Sequence, residues 1–394
     1  MLSLVKAQGR TLSGSFPKNF AKLDPRLTKN EMAHLKVGYS LFAKPWVQAP
    51  ASTKRRDGLG PHFNAVSCMS CHAGMGRGAP PQVLHENDPS LVLKSNSDDL
   101  FNKFGDQITP KSLPGFRPEM NVKVHYEKVT RYGLDLVKPI LKDEKGEAIA
   151  VGTRISPHLA GLGRLEAIPE EEIIKNSLSG GTVSRYQGRV ARFGWKASQE
   201  DLRHQVAAAF SYDMGITSSL YPPERCESGC AGYMSGADEE GVEIRDDHLE
   251  MVVTLMRGIE PPKPLHNDKE MIVKGQKVFK EISCQSCHRI SYDLKEWGTI
   301  EPYTDLLLHD MGEGLADNGT LNGDMKKMWR TAPLWGLGSQ RLVNGHTRLL
   351  HDGRARNVEE AILWHGGEAT PSVRKFLKLE EKQKKILLSF LNNL

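Results

Sequence analysis

The chain has 394 residues, of which 39% are hydrophobic and 26% are charged, as in an ordinary soluble globular protein. Its length exceeds that of one small domain and predicts two. The formal net charge is +5, but lysines and arginines are spread along the sequence without a basic block, so nucleic-acid binding is not indicated. The short runs at Thr53–Arg56 and Glu381–Lys385 are typical of solvated surface.

No apolar run approaches the roughly 18 residues needed to span a bilayer, so no transmembrane segment is predicted. The first fourteen residues lack the charged start, long apolar core and cleavage site of a secretory signal. We therefore expect either a protein that is not exported or a chain that begins near its mature terminus.

The pentapeptide CMSCH, Cys68 to His72, is the first motif that indicates a chemistry. C-x-x-C-H is the attachment signature of c-type haem. Its two thiols add to the haem vinyl groups, and the histidine then binds the iron as the proximal ligand. A C-x-x-C pair also occurs in zinc sites and in redox-active dithiols, so one copy leaves three interpretations.

Residues 124–148 alternate partly between apolar and polar side chains and contain turn residues. This pattern, which begins at Val124, predicts a β-hairpin insertion. A third cysteine pair follows at Cys226 and Cys230, where no histidine follows the second cysteine. Its spacing could close a small disulfide loop, which would suit the oxidising space outside the cytoplasm, and two free thiols are the alternative.

An amphipathic helix is predicted next, with Leu249, Val252, Val253 and Met256 on one stripe. The proline-rich segment around Pro261–Pro264 then reads as a linker. These features predict a first domain of residues 1–262 and a second domain of residues 263–394.

The pentapeptide CQSCH, Cys284 to His288, repeats the first motif. Zinc would not require a histidine directly after both cysteine pairs, so two complete copies favour c-type haem over zinc. The sequence therefore predicts two covalently bound haems c.

Two more amphipathic helices follow the second motif. In NVEEAILWHGG, Asn357 to Gly367, the inward face carries His365 at helical spacing, and two glycines then end the helix. A histidine there is either hydrogen-bonded in the core or a metal ligand. The last helix places Leu387, Phe390, Leu391 and Leu394 on one stripe. Helices around each haem motif predict a mainly α fold of two cytochrome c-like haem domains, the first enlarged by the hairpin insertion.

Long stretches of the chain resemble the bacterial di-haem cytochrome c peroxidases and the related di-haem enzyme that matures methylamine dehydrogenase. The resemblance is closest to a subfamily of di-haem oxidoreductases that are often labelled thiol oxidoreductases. It covers most of the chain from about residue 40 to 370, in the stretches GLGPHFNAVSCMSCHAGMGRGAPP, GLGRLEAIPEE, RFGWKAS, DMGITS, LLLHDMGEGLAD, WRTAPLWGLG and LLHDGRARNVEEAILWHGGEA.

The resemblance implies roles for residues of the first domain. The haem on Cys68, Cys71 and His72 would be peroxidatic, with Trp195 between the two haems and Gln205 in the distal pocket. The acid–base carboxylate would be Asp213, where the family has a glutamate two residues further along. A carboxylate moves the proton that peroxide cleavage needs, and an amide can donate to the developing charge. A reversible distal ligand could come from His62, His85, His125 or His158.

In the second domain the resemblance implies an electron-transfer haem on Cys284, Cys287 and His288. Counting along the family's HDG segment places His365 where the family has its sixth iron ligand, which gives a bis-histidine haem of lower potential than a His/Met one. Met311 and His309 are rival candidates for this sixth ligand. The favoured role of His309, and of His351, is a hydrogen bond to a haem propionate or to the backbone.

The family also holds calcium between its domains, partly through carbonyls of a T-x-P segment, here Thr331 and Pro333. Ile155 stands where the family has an asparagine ligand, so the calcium site is incomplete in this sequence.

The function implied is that of a periplasmic peroxidase, which reduces hydrogen peroxide with electrons from a small redox protein or cytochrome. Two alternatives stay open. High-valent haems would oxidise a protein or small organic substrate, or both haems would be sealed and the protein would only carry electrons. The oligomeric state is left open.

Overall fold

The computed structural model describes residues 19–80, 90–222, 224, 226, 230, 233, 235–320 and 323–394. Its α-helices in these ranges are α1 (Lys29–Ala43), α2 (Cys68–Cys71), α3 (Asp98–Phe104), α4 (Leu162–Glu166), α5 (Glu170–Asn176), α6 (Leu202–Met214), α7 (Asp246–Gly258), α8 (Lys269–Glu281), α9 (Gln340–Asn344), α10 (Val358–Trp364), α11 (Thr370–Leu377) and α12 (Glu381–Leu391). Short 3-10 helices lie at Ala73–Met75, Ser177–Ser179, Cys284–Ser286, Gly323–Lys327 and Gly367–Ala369.

The strands are mostly short. They are β1 (His62–Phe63), β2 (Leu91–Ser95), β3 (Gln107–Ile108), β4 (Lys111–Ser112), β5 (Lys123–Arg131), β6 (Leu134–Lys142), β7 (Val151–Ile155), β8 (Arg185–Tyr186), β9 (Arg189–Val190), β10 (Tyr292–Leu294), β11 (Gly298–Ile300), β12 (Leu308–Asp310) and β13 (Met328–Arg330). One sheet has three strands in the order β3-β2-β7, and the others pair β1 with β4, β5 with β6, β8 with β9, β10 with β11 and β12 with β13.

The prediction of a mainly α fold is wrong. The chain is 35% helix and 17% strand, and the strands form several small sheets between the helices. Strands of two or three residues show too little alternation to be recognised from apolar spacing. The expected division at residue 262 and the cytochrome c-like character of its two halves stay predictions.

The hairpin that the sequence predicts from Val124 is present as β5 and β6. The strands pair from Lys123–Lys142 to Arg131–Leu134. The two-residue turn, Tyr132-Gly133, has positive φ at both positions (52° and 78°), the combination that favours right-handed strand twist. Leu136 and Leu141 are 1% and 3% exposed and hold the hairpin to the body of the protein.

The first hydrophobic core surrounds the CMSCH motif and is built largely from α1, α6 and α7. A Cβ added to Gly38 would lie 2.0 Å from the carbonyl oxygen of Met251, so α1 and α7 cross with their backbones in contact. The stripe predicted for α7 is buried throughout, and it comprises Leu249, Val252, Val253 and Met256.

The second core lies behind the CQSCH motif, between α8, α10, α11 and α12. A Cβ at Gly275 would lie 2.1 Å from the Cβ of Phe390, so glycine is required for α8 to approach α12 this closely. The predicted stripe of Leu387, Phe390, Leu391 and Leu394 is buried here. In the described part of the chain, no helix is long and apolar enough to cross a membrane.

Candidate haem sites

The first motif forms the one-turn helix α2, capped at its start by the Ser67 side chain, which accepts from the Ser70 amide. His72 follows directly. The segment 156–159 runs beside the motif, because the Ser156 hydroxyl donates to the Cys71 carbonyl (2.6 Å) and the Leu159 amide donates to the Met75 carbonyl (2.9 Å). The motif is therefore fixed by a segment more than eighty residues away in sequence.

His72 has the properties of a metal-binding imidazole. Burial lowers its pKa to about 4, so the ring is neutral. Its Nδ1 atom is buried without a hydrogen-bond partner among the described residues. A neutral imidazole is the form that binds iron.

Two buried guanidinium groups near the first motif supply a positive charge that the described side chains do not neutralise by contact. Arg77 and Arg330 are each 8% exposed. Burial lowers the pKa of each to about 10, opposed only by the more distant carboxylates of Asp352 and Asp305. Burying such cations is costly unless an anion accompanies them. The two propionates of a haem would supply this negative charge, so the residues present fit a haem at this site.

The candidate distal histidines occupy different surroundings. His62 lies with Nε2 3.0 Å from the Arg117 carbonyl, and His125 is exposed on β5. His158 is half-buried, and desolvation of its ring together with the charges of Arg77, His72 and Arg330 lowers its pKa to about 3. Of these three, His158 is thus the one near His72. The fourth candidate, His85, lies outside the described residues.

Trp195 lies between the two motifs. Its indole N–H donates to the Ile155 carbonyl (2.9 Å), and the Arg77 guanidinium stands 5.1 Å from its ring centroid. On its other side the ring packs against the second core, and its carbonyl accepts from the Arg330 amide (3.0 Å). The indole therefore contacts both the segment after His72 and the core behind the second motif.

Gln205 and Asp213 lie at opposite ends of α6, about 12 Å apart along the helix axis at 1.5 Å per residue. The Gln205 Oε1 atom is buried without a described hydrogen-bond partner, 3.5 Å from where a Cβ on Gly194 would sit. Asp213 accepts from the Gln107 amide (2.8 Å), and with burial its charge raises the pKa of Cys68 to about 12. The structure thus places the carboxylate beside the first motif and the amide beside Trp195, without contact between them.

The second motif forms a 3-10 turn at Cys284–Ser286, reached directly from α8. His288 places Nδ1 2.8 Å from the Tyr303 carbonyl, a contact that orients the ring and leaves Nε2 to bind a metal. Burial lowers the pKa of His288 to about 4, so this imidazole is also neutral.

His365 faces His288. Helix α10 is capped by the Asn357 side chain and ends at Trp364, so His365 is the first residue after the helix rather than its last turn. Its Nδ1 lies 2.6 Å from the Ala361 carbonyl, and its ring centroid is 6.5 Å from that of His288. Two imidazoles that bind one metal from opposite sides, each at about 2 Å, have centroids about 6.3 Å apart. The pair therefore fits a bis-histidine iron site.

The rival ligand His309 is committed elsewhere. Its Nε2 lies 2.8 Å from Asp305 and its Nδ1 lies 2.7 Å from Glu368. Burial lowers the pKa of His309, but the hydrogen bonds and charges of Asp305 and Cys287 together outweigh burial and raise the pKa to about 11. A protonated imidazole with both nitrogens bonded cannot bind iron. Met311, the other rival, packs against the second core.

His351 is held by stacking. Its ring lies 3.6 Å from that of Trp329 at an interplanar angle of 11°, and its carbonyl accepts from the Ile155 amide (2.8 Å). Lys196 and Arg154 stand over the same indole at 3.5 and 4.5 Å. These contacts fix the HDG segment next to both cores.

The residues expected to bind calcium do not fit it. The Thr331 carbonyl accepts from the Thr304 hydroxyl (2.6 Å) and from the cationic guanidinium of Arg330 (3.2 Å). The side chain of Ile155 has no oxygen. We derive no role for calcium here.

The structure distinguishes between the interpretations of the three cysteine pairs. Cys226 and Cys230 form a disulfide with Cα atoms 6.2 Å apart. The motif cysteines Cys68, Cys71, Cys284 and Cys287 take no part in a disulfide in the described part of the chain. Among the described residues, these four do not gather into one metal-binding group, so a shared four-cysteine zinc site is not formed.

Sequence reasoning missed two features of these sites. The buried cations Arg77 and Arg330 carry no spacing that distinguishes them from surface arginines, and only burial reveals them. The acidic partners of His309 are Asp305, four residues away, and Glu368, fifty-nine residues away. A reading of HDMGEG alone could not identify either one.

The family comparison agrees with the two motifs. A family described as "Di-haem oxidoreductase, putative peroxidase" matches residues 7–110 and 136–394. A comparison with curated protein sequences found no match. Among solved structures, the hydrazine synthase of Kuenenia stuttgartiensis is similar over 100% of this chain and 99% of that one, at 12% identity and a TM-score of 0.39.

The family match leaves out only residues 1–6 and 111–135, the second of which contains β5 of the hairpin. It covers both C-x-x-C-H motifs and most of the chain. The protein therefore belongs to the di-haem oxidoreductase family.

Proposed function

We propose that this protein is a periplasmic di-haem c-type peroxidase. Hydrogen peroxide is reduced at the haem attached to Cys68 and Cys71 and bound by His72. Electrons enter through the haem attached to Cys284 and Cys287 and bound by His288 and His365. The net reaction joins one hydrogen peroxide, two electrons and two protons to give two water molecules.

The difference between the two motifs is the observation that carries this proposal. His288 is faced by a second imidazole, with the ring centroids 6.5 Å apart. In the described part of the chain, no aromatic ring faces His72 in this way. A metal bound by one protein ligand keeps a position for substrate, whereas a metal bound on both sides transfers electrons.

Haem iron supplies the redox chemistry when it is bound, and the polypeptide supplies position and protons. In its neutral form, His72 would bind this iron. Asp213, next to Cys68, is the group that moves a proton between the peroxide oxygens. Gln205, with an unpartnered buried Oε1, orients bound water or peroxide through its amide.

Trp195 is the relay between the two irons in this proposal. It contacts Arg77 on the side of the first motif and the second core on the other. Its aromatic ring can pass an electron without moving. Covalent attachment of haem to both motifs, and the Cys226–Cys230 disulfide, suit the oxidising space outside the cytoplasm.

The proposal is tested with the holoprotein, produced in an export-competent host that attaches haem c. Electronic absorption and EPR spectra of the ferric protein should contain one high-spin or water-bound haem and one low-spin haem. Peroxide should be consumed with oxidation of two electron equivalents of reduced donor per molecule. Two low-spin haems in every redox state without peroxide consumption would make the protein an electron carrier instead.

A further inference from the structure

The positive charge of this protein is concentrated on three helices. Helices α8, α11 and α12 contain nine lysines and arginines and three glutamates, a formal charge of +6. The whole chain has a formal charge of +5, so the remainder carries −1. The surplus is invisible along the sequence because α8 and α11 are separated by about ninety residues.

Most of these cations have no acidic partner. Each glutamate pairs within its own helix: Glu270 with Lys274 (2.5 Å), Glu281 with Lys277 (4.0 Å) and Glu381 with Lys384 (3.0 Å). Of the nine cations on these three helices, six are exposed and form no ion pair among the described residues. We call these six the basic face: Lys269, Lys280, Arg374, Lys375, Lys382 and Lys385. Like charges crowded together repel, so an unneutralised group of this size favours a negatively charged partner.

Lys280 and Lys375 of the basic face lie next to the second motif. Helix α8 leads into the turn at Cys284, and the Lys375 ammonium donates to the Ser283 hydroxyl (2.7 Å). Gln285 and Ser286, between the two motif cysteines, are exposed. The close approach of Gly275 to Phe390 holds α8 against α12.

Apolar surface lies within this charged region. Val273 on α8 is 65% exposed and Leu377 on α11 is 36% exposed. A surface cleft of about 560 Å³ between α8 and α12 is lined by Met271 and Ile386, by three lysines, and by the carboxylates of Asp268 and Glu270. Small apolar areas rimmed by charge are typical of protein–protein contacts, whereas a nucleic acid needs no exposed aliphatic side chains.

We propose that the basic face is the docking surface for an acidic one-electron donor protein that reduces the second haem. This inference rests on the proposed function, which requires electrons to enter at His288 and His365. The donor loses one electron, and the ferric iron between these imidazoles becomes ferrous, with no bond made or broken. Complementary charge around an entry point accelerates encounter more than it strengthens the complex.

The test measures reduction of the second haem without peroxide, so it does not depend on peroxidase activity. A reduced, acidic [2Fe–2S] ferredoxin is mixed rapidly with the ferric holoprotein, since its potential of about −400 mV suffices for a bis-histidine haem. Lys280→Glu/Lys375→Glu alters the basic face. The matched control, Lys29→Glu/Lys36→Glu, makes the same charge change on α1, where both lysines are exposed.

At low ionic strength, we expect the basic-face variant to react about tenfold more slowly than the wild type and the control, because steering depends on the local field. The difference should vanish near 0.5 M salt, where the screening length is about 4 Å. A neutral reduced flavin should reduce all three proteins equally, which would show an intact haem.

Equal ferredoxin rates for the basic-face variant and the control would overturn the proposal, as would a rate that rises with salt. Sedimentation with vesicles of anionic phospholipid tests whether the basic face binds a lipid surface instead. Binding to vesicles that is lost in the basic-face variant, with an unchanged ferredoxin rate, would assign the face to a lipid surface. If the wild-type holoprotein consumed no peroxide but ferredoxin still reduced the basic-face variant more slowly than the control, the proposed function would be refuted and the docking surface would stand.

Discussion

The contact of His309 with two carboxylates gives a prediction that separates a structural histidine from an iron ligand. We consider His309→Gln, which removes the positive charge but keeps a polar side chain. The side chains of His309 and Asp305 are each 3% exposed, whereas that of Glu368 is 40% exposed. The variant therefore leaves Asp305 buried without its cation, while Glu368 turns to solvent.

The expected loss of stability follows from these exposures. Breaking a buried ion pair typically costs about 3–5 kcal/mol. A rise in pKa from 6.5 to about 11 sets an upper bound of about 6 kcal/mol at 1.36 kcal/mol per unit, and the part that the Cys287 thiol contributes is lost once that thiol is attached to haem. Asp305 still accepts from the Leu307 amide (3.0 Å), so we expect about 3 kcal/mol.

The effect should depend on pH in a defined direction. Because folding raises the pKa of His309, its contribution is complete below pH 6.5 and is lost as the pH rises through about 11. Urea unfolding of the holoprotein, followed by circular dichroism at pH 6 and pH 9.5, should show a larger difference between wild type and variant at pH 6. His34→Gln, on the exposed side of α1, is the control.

The same variant should keep its second haem low-spin, because the proposed function assigns that iron to His365 and not to His309. An unchanged free energy of unfolding together with a new high-spin signal would refute this reasoning. His309 would then have given up both carboxylates to bind iron, and the facing of His288 and His365 would have no role.

The remaining predictions concern the two haem sites. His365→Ala should add a second high-spin EPR signal, and His365→Met should keep a low-spin haem whose potential rises by a fraction of the roughly 0.8 V that axial ligands control; an unaltered spectrum in the alanine variant would remove His365 from the iron. Trp195→Phe should leave peroxide binding intact but slow oxidation of the second haem in stopped-flow spectra, and an unchanged rate would exclude the relay. Asp213→Asn and Gln205→Leu should keep both spectra and lower peroxide turnover by about a hundredfold to ten-thousandfold, so wild-type turnover in either variant would remove that residue from the mechanism.

The sequence predicted the parts of these sites that are local. A C-x-x-C-H pentapeptide carries its chemistry within five residues, and the stripes of α7 and α12 are read directly from helical spacing. The nine-residue strands of the hairpin were predictable for the same reason, since each holds several alternations and they meet at a Tyr-Gly turn.

Features that depend on distant partners were not predictable. The strands β1 and β4 have two residues each and exist because His62 pairs with Ser112 fifty residues away. The prediction of a mainly α fold was wrong because it missed short strands of this kind. Likewise, His309 and His365 are both histidines near a glycine-rich turn, and only the carboxylates around His309 distinguish a cation from a ligand.

The spacing of Gln205 and Asp213 illustrates an intermediate case. Eight residues apart on α6, they lie about 12 Å apart along the helix axis and share no hydrogen bond. The helical spacing alone could not show how α6 is oriented relative to the two motifs. The Gln107 amide, which donates to Asp213, holds that end of α6 near Cys68, and the other end places Gln205 near Gly194.

The β5–β6 hairpin contacts the second site through a residue that lies outside the range matched by the family. Arg131, within the unmatched residues 111–135, donates to the Trp364 carbonyl (2.8 Å) and stands 5.3 Å from the centre of its ring. The peptide bond after that carbonyl leads into His365, and the charge of Arg131 also lowers the pKa of that imidazole after burial. In the proposed bis-histidine site, members of the family that share both pentapeptides but lack this arginine would therefore hold the sixth ligand in a less positive field. Their second haems should differ in midpoint potential from this one, although every atom bound to iron is the same.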